Sequence, residues 1–129
     1  MRNGRAPSSS GFSLIELIVV VAIIAMLLLI ALPRYQVSLD RARDVALQTS
    51  LKTIRESIGR YREDKGRYPE SLQELVEQRY LQSVPVDPVT GLNTGWQFEH
   101  AKGQHGSGLV NIRSGAVGVT LDGQPYSEL

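Results

Sequence analysis

The chain has 129 residues, with 14 Lys+Arg against 13 Asp+Glu for a formal net charge of +1, and it contains no cysteine. That length holds one small domain besides any membrane segment. The near-balance of charge gives no ground for nucleic-acid binding, and the lack of cysteine excludes a disulfide framework, a thiol nucleophile and a Cys-type zinc site.

The first eleven residues, MRNGRAPSSSG, are short and basic through Arg2 and Arg5. Residues 12–32 follow as an apolar run whose one charge is Glu16. At ~1.5 Å per residue such a helix reaches ~30 Å, the thickness of a bilayer's hydrocarbon core. A carboxylate inside a membrane segment costs roughly 2.5–3.5 kcal/mol, so Glu16 calls for a function. Near the start of a helix it complements the positive end of the dipole. An ordinary secretory signal has a shorter apolar stretch and a small-x-small cleavage site after it. Here Leu32 runs straight into Pro33-Arg34-Tyr35, and the small residues precede the run, ending in Gly11. Charge alone leaves orientation open. Arg2 and Arg5 favour a cytoplasmic N-terminus, while Arg34, Arg41 and Arg43 lie beyond the other end, partly offset by Asp40 and Asp44.

Helical periodicity continues beyond the apolar run. Leu47, Leu51, Ile54, Ile58 and Tyr61 recur at spacings of four and three, with Arg43, Lys52, Arg55 and Arg62 mostly on other faces. This predicts one helix over about 12–64, its first half in lipid and its second half against a globular part. The stripe is too short for a coiled-coil seam, so packing on its own domain is expected. Pro33 cannot donate to the Leu29 carbonyl, and a kink or local melting is expected there, at the membrane exit. Gly66 ends the helix.

A second helix is expected over 69–80, with Pro69 in its first turn and Leu72, Leu75, Val76 and Tyr80 on one face. Residues 84–91 read as a rigid, turn-rich connection. Strands are expected at 96–99 and 109–113, joined by the glycine-rich loop 102–108, with a weaker strand at 117–121. One face of this sheet should cover the helix stripe. Leu109, Ile112, Val119 and Leu121 are expected to pack toward the long helix, with Tyr126 anchoring the tail. The fold class is α+β: a long N-terminal membrane-spanning helix packed through its C-terminal half on a small antiparallel sheet.

The sequence Gly11-Phe12-Ser13-Leu14-Ile15-Glu16, opening an uninterrupted apolar helix, resembles the prepilin leader of type IV pilins and type II secretion pseudopilins. The resemblance implies cleavage between Gly11 and Phe12 by a prepilin peptidase on the cytoplasmic side, and N-methylation of Phe12. It implies that Glu16 of one subunit neutralises the Phe12 amine of its neighbour, two charges that stabilise each other strongly away from water. Pro33 would be a point where the helix loosens on assembly. Further on, Gly66-Arg67-Tyr68-Pro69, Val84-Pro85-Val86-Asp87-Pro88, Trp96-Gln97-Phe98 and Ile112-Arg113-Ser114-Gly115 look like the soluble part of the major pseudopilin of type II secretion systems. The implied organisation is a leader at 1–11, a transmembrane and assembly helix at 12–32, the soluble half of the helix at 33–64, and a periplasmic α/β part at 65–129. The protein would then be a single-pass protein of the bacterial inner membrane, N-terminus in the cytoplasm. Its implied partners are copies of itself in a homopolymer, minor pseudopilins, the prepilin peptidase, an inner-membrane assembly platform and the bilayer.

Major pseudopilins usually carry acidic residues in the last loop that bind calcium, as hard cations prefer. After Ser114 this chain has only Asp122 and Glu128. Asp122 and Asp87 are its weak calcium candidates, too few for a site, and no cofactor is expected. His100 and His105 flank the glycine-rich loop without a third ligand nearby, the pattern of solvated side chains. No nucleophile elbow and no phosphate-cradling glycine loop is present, so no enzyme is expected. The expected function is a structural subunit of a type II secretion pseudopilus. Its alternatives are a type IV pilus subunit for adhesion or motility, and a membrane-tethered binding module that never polymerises. The missing cysteine pair and the Pro-x-Asp-Pro phrase favour the pseudopilus over the pilus.

Overall fold

Between Gly11 and Gly59 the chain has no glycine and a single proline, and it folds there as one helix. The computed structural model of the chain describes Gly4, residues 10–103 and residues 108–129. Helix α1 runs Leu14–Lys65 with Pro33 inside it. The local melting expected at Pro33 is therefore not found. One lost backbone bond costs less than ending a helix and nucleating another, because nucleation fixes several residues for a single hydrogen bond.

The chain divides into two units, Met1–Val37 and Ser38–Leu129, and α1 contributes to both. In the first unit every described residue is exposed, Leu29 at 75%. The helix holds an 18-residue stretch of mean hydropathy 3.2, none of it covered by the chain. A helix that is apolar on all sides has to bury itself in lipid or in other subunits.

In the second unit the expected stripe is the core. Leu47, Leu51, Ile54, Ile58 and Tyr61 are buried with Leu72, Leu75, Leu81, Trp96, Leu109 and Ile112. Burial of such side chains stabilises by roughly 1.5–3 kcal/mol each. Helix α1 stops at Gly66, whose φ of 69° is the left-handed conformation and whose amide closes on the Arg62 carbonyl at 2.9 Å.

Helix α2 is shorter than expected, Leu72–Glu77 rather than 69–80. It begins one turn late because Ser71 caps it, accepting the Glu74 amide at 3.2 Å. Pro69 precedes the cap, buried, and its carbonyl accepts the Leu109 amide at 2.7 Å. The helix ends early in a Schellman motif, with Tyr80 N–H on the Leu75 carbonyl (2.8 Å) and Arg79 N–H on the Val76 carbonyl (3.1 Å). The left-handed position is occupied by Arg79, φ 63°, not by glycine. No glycine marks this stop, which is why the sequence pattern overran it.

Strands β1 (Gln97–His100) and β2 (Leu109–Arg113) pair antiparallel, with Phe98 opposite Ile112 and Glu99 opposite Asn111. β1 starts one residue later than expected, since Trp96 turns into the core and its indole N–H donates to the Pro85 carbonyl at 2.9 Å. Part of the expected hairpin loop, residues 104–107 with His105, lies outside the described residues. The expected strand at 117–121 is not a strand. Val119 makes a lone bridge to Pro125, and Gly118 and Gly123 both adopt positive φ, which breaks the extended run. Val119 (56% exposed) and Leu121 (45%) accordingly do not pack into the core as expected. The chain finishes in a 3-10 turn, Tyr126–Glu128.

The four phrases of the soluble part converge. Pro69 holds Leu109, Pro85 holds Trp96, and the Ser114 hydroxyl donates to buried Asp87. Gly115 lies so close to the Gly95 carbonyl that a Cβ would overlap it. Their shared work is to lock the turns around the sheet.

Candidate assembly site at the start of helix α1

Ser13 and Glu16 build the start of α1 together. The Ser13 hydroxyl oxygen accepts the Glu16 amide at 3.2 Å, and Glu16 Oε2 accepts the Ser13 amide at 3.5 Å. This reciprocal arrangement is a capping box, which satisfies two of the helix's free N–H groups. The Ser-x-x-Glu spacing is legible in the sequence and refines the dipole role expected of Glu16. At 3.5 Å the second bond sits at the long limit for a hydrogen bond, so the carboxylate is positioned over the helix start without being consumed there. Ser10, Gly11, Phe12 and Glu16 line a shallow, open concavity, and Phe12 is exposed. Residues implied in cleavage, modification and assembly thus lie together at one end of an uncovered apolar helix. Pro33 lies well along the same helix, apart from this cluster.

Three polar centres in the second unit were not foreseen. Asp44, one step before Leu47 on the buried stripe, is itself buried. Its Oδ1 accepts the Tyr126 hydroxyl at 2.8 Å and its Oδ2 accepts the Leu121 amide at 2.9 Å. The hydrogen bond to Asp44, with burial added, pushes the Tyr126 hydroxyl up to about 12. Tyr126 is thus the expected anchor of the tail. Arg55, expected on an outer face, instead donates from Nε to Asn111 Oδ1 (2.8 Å) and from Nη2 to the Ile112 and Leu129 carbonyls (2.9 and 2.6 Å). The signal available for Asp44 was its register: extending the Leu47 stripe one turn back lands on an acid.

Glu74 is the third centre. It accepts Arg67 Nη2 and the Tyr61 hydroxyl on Oε1, each at 2.6 Å, and the Glu70 amide on Oε2 at 2.6 Å. The Arg67 hydrogen bond first, then those of Tyr61 and the Glu70 backbone, hold its carboxyl down at about 2.

The donor set does not fit a calcium ion. Asp87 Oδ1 already accepts the Val89 and Thr90 amides (2.8 and 3.2 Å), and its Oδ2 accepts the Ser114 hydroxyl. A carboxylate with both oxygens engaged by buried donors has none to give a hard cation that needs six or more oxygens. Asp122 is exposed, and among the described residues no group of three or more His, Asp or Glu side chains is placed to hold a metal. His100 is exposed and meets the Phe98 ring edge-on, centroids 6.4 Å apart.

An apolar helix left uncovered by its own chain, long and apolar enough to cross a membrane, begins at a capped glutamate and runs on into a small α+β unit. Residues 7–32 match the prokaryotic N-terminal methylation motif. Competence protein ComGC of Halalkalibacterium halodurans is 32% identical over 73 residues, 57% of this chain and 72% of that protein. Type II secretion system core protein G of Pseudomonas aeruginosa is 30% identical over 95 residues, 61% of this chain and 67% of that protein. No solved structure matches the chain significantly. The chain belongs to the type IV pilin-like family, whose members are structural proteins and not enzymes.

Proposed function

We propose that the chain is a structural subunit of a type II secretion pseudopilus, a helical filament in the periplasm that helps move folded proteins through the outer-membrane channel. The observation that carries this reading is the exposed apolar helix whose capping box, Ser13 and Glu16, follows directly on Gly11-Phe12. The similarity to core protein G, which reaches over 95 residues and so into the soluble part, supports the secretion role. In this reading a prepilin peptidase cuts between Gly11 and Phe12, and Phe12 becomes the N-methylated terminus. Residues 12–32 cross the inner membrane with the N-terminus in the cytoplasm, 33–64 continue the helix, and 65–129 stand in the periplasm. Copies of the chain, minor pseudopilins and an inner-membrane platform are its partners. Pro33 gives the helix a point of lower stability on assembly.

Glu16 then has a second role. Cleavage creates a positive amine at Phe12, and a neighbour's Glu16 supplies the counter-charge in a low-dielectric bundle. The weak tether to the Ser13 amide costs little to give up in that exchange.

Gly11→Val tests the reading, because a branched side chain obstructs backbone approach at the cut. The variant should accumulate as a membrane-bound precursor about eleven residues longer than the processed form, with no N-methyl-phenylalanine by mass spectrometry. Normal processing of it would overturn the leader assignment. A second reading, a subunit of a pilus serving competence, draws on the similarity to ComGC. Deleting the gene separates them: loss of protein secretion supports the first, loss of DNA uptake alone the second.

A further inference from the structure

The C-terminal segment beyond Ser114 has little regular structure to hold it. It contributes a lone bridge, a turn closed by Gly123 N–H on the Thr120 carbonyl (2.9 Å), and a short 3-10 turn. Its apolar residues Val117, Val119 and Leu121 are exposed, and only Tyr126 and Leu129 near its end pack partly against the core. Loops of this kind need a cross-link from outside themselves, and among the described residues no cluster of carboxylates is placed to make a cation site.

The cross-link comes from α1. Asp44 and Arg55 stand about three helical turns apart on one face. Asp44 takes the Leu121 amide and the Tyr126 hydroxyl, one on each oxygen. Arg55 reaches the carbonyl of Leu129 while also holding Ile112 on β2. An acceptor with two oxygens grips the middle of the segment and its last turn, and a cation grips its final carbonyl. Within the segment, Thr120 completes the turn, its N–H on the Gln124 carbonyl (2.8 Å) and its Oγ accepting the Gln124 amide (3.2 Å).

We propose that an Asp44–Arg55 strap on helix α1 fixes the C-terminal segment of this chain without a metal ion, so that the folded subunit is indifferent to calcium. A buried carboxylate that accepts two donors does for this segment what a divalent cation does for a loop of carboxylates: it joins distant backbone positions through one charged centre. The strap lies wholly within residues 38–129 and holds whatever filament the subunit enters. Its bearing on assembly, that filaments form equally well in chelator, rests on the pseudopilus reading.

Hydrogen exchange on the full chain in detergent micelles, read at the Leu121 amide and across 117–126, tests the proposal. The unmodified protein should show the same protection in calcium chloride and in chelator. Asp44→Ala should lose protection at Leu121 by about tenfold or more, since a hydrogen bond to a charged acceptor is at stake. Tyr126→Phe removes a single hydroxyl and keeps the ring, so it should fold and show a smaller loss over 124–128. Calcium should restore neither variant.

Protection that rises with calcium in the unmodified chain would overturn the proposal, as would unchanged exchange at Leu121 in Asp44→Ala. If Asp44→Ala does not fold, Asp44→Asn retains the side-chain volume and one acceptor oxygen. A Leu121 amide as well protected in that variant as in the unmodified chain would also count against a strap that depends on the carboxylate's charge. These readouts concern dispersed subunits, so a failure of the filament reading would show separately, as absence of filaments from an unmodified protein with an intact strap.

Discussion

The two stretches of α1 on either side of Val37 have one backbone geometry and opposite surroundings. Before Val37 the described side chains are all exposed, and leucine, isoleucine and valine point in every direction. After Ser38 one stripe is buried and the rest of the surface carries charge. The first stretch gains nothing from its own chain, so its free energy is set by lipid and by neighbouring subunits. The second is held by a core and by three polar ties, at Asp44, Arg55 and Glu74. One helix therefore answers to two solvents, and a substitution should report which of them it touches.

Truncation in the core gives the largest contrast. Ile54→Ala should destabilise the soluble unit by about 2–5 kcal/mol, as a cavity opens where no water enters. Ile24→Ala, the same kind of change in the first stretch, should leave the melting of the soluble unit unchanged in micelles. Equal effects of the two would erase the distinction.

Acid should act on the second unit through Glu74. Its carboxyl is held at about 2, against an ordinary 4.5, so the stability it contributes is present above pH 4.5 and is lost as pH falls toward 2. Glu74→Gln should be less stable at neutral pH and should show a flatter melting profile over that acid range. A profile as steep as that of the unmodified chain would assign the acid sensitivity elsewhere.

The smallest effect has the opposite sign. Arg79 holds a left-handed conformation at the end of α2, which costs a side-chain-bearing residue roughly 1–2 kcal/mol. Arg79→Gly should raise stability by about 1 kcal/mol once glycine's greater unfolded freedom is counted. A loss of stability would mean that the arginine side chain makes a contact worth more than the strain.

Regular periodicity made α1 legible. The five apolar residues from Leu47 to Tyr61 are the buried ones, and the two strands come within a residue of their expected places, because the 3.6 and 2 repeats are strong where one face is buried. The end of α2 was less legible, since Arg79 sets it without the usual glycine; its start carried the Ser71-x-x-Glu74 capping signal, a better guide than Pro69. The segment 117–121 alternates apolar residues like a strand, yet Gly118 takes a positive φ and its valines and leucine stay in solvent.

At the site, Gly11, Phe12 and Glu16 stood out because a charge in an apolar run is anomalous. Asp44 and Arg55 did not, because an acid or base on a helix that is charged elsewhere looks like surface. Only the tertiary fold reveals that both face the tail.

The central claim is that Glu16 serves a neighbouring subunit rather than its own helix alone. Its most direct test is filament assembly by Glu16→Leu, measured by electron microscopy on overexpression beside membrane fractionation. The account predicts full insertion in the membrane, since a buried charge is gone, and few or no filaments, since the Phe12 amine of the next subunit has lost its counter-charge. Normal filaments from Glu16→Leu would contradict it and leave the glutamate as a helix cap.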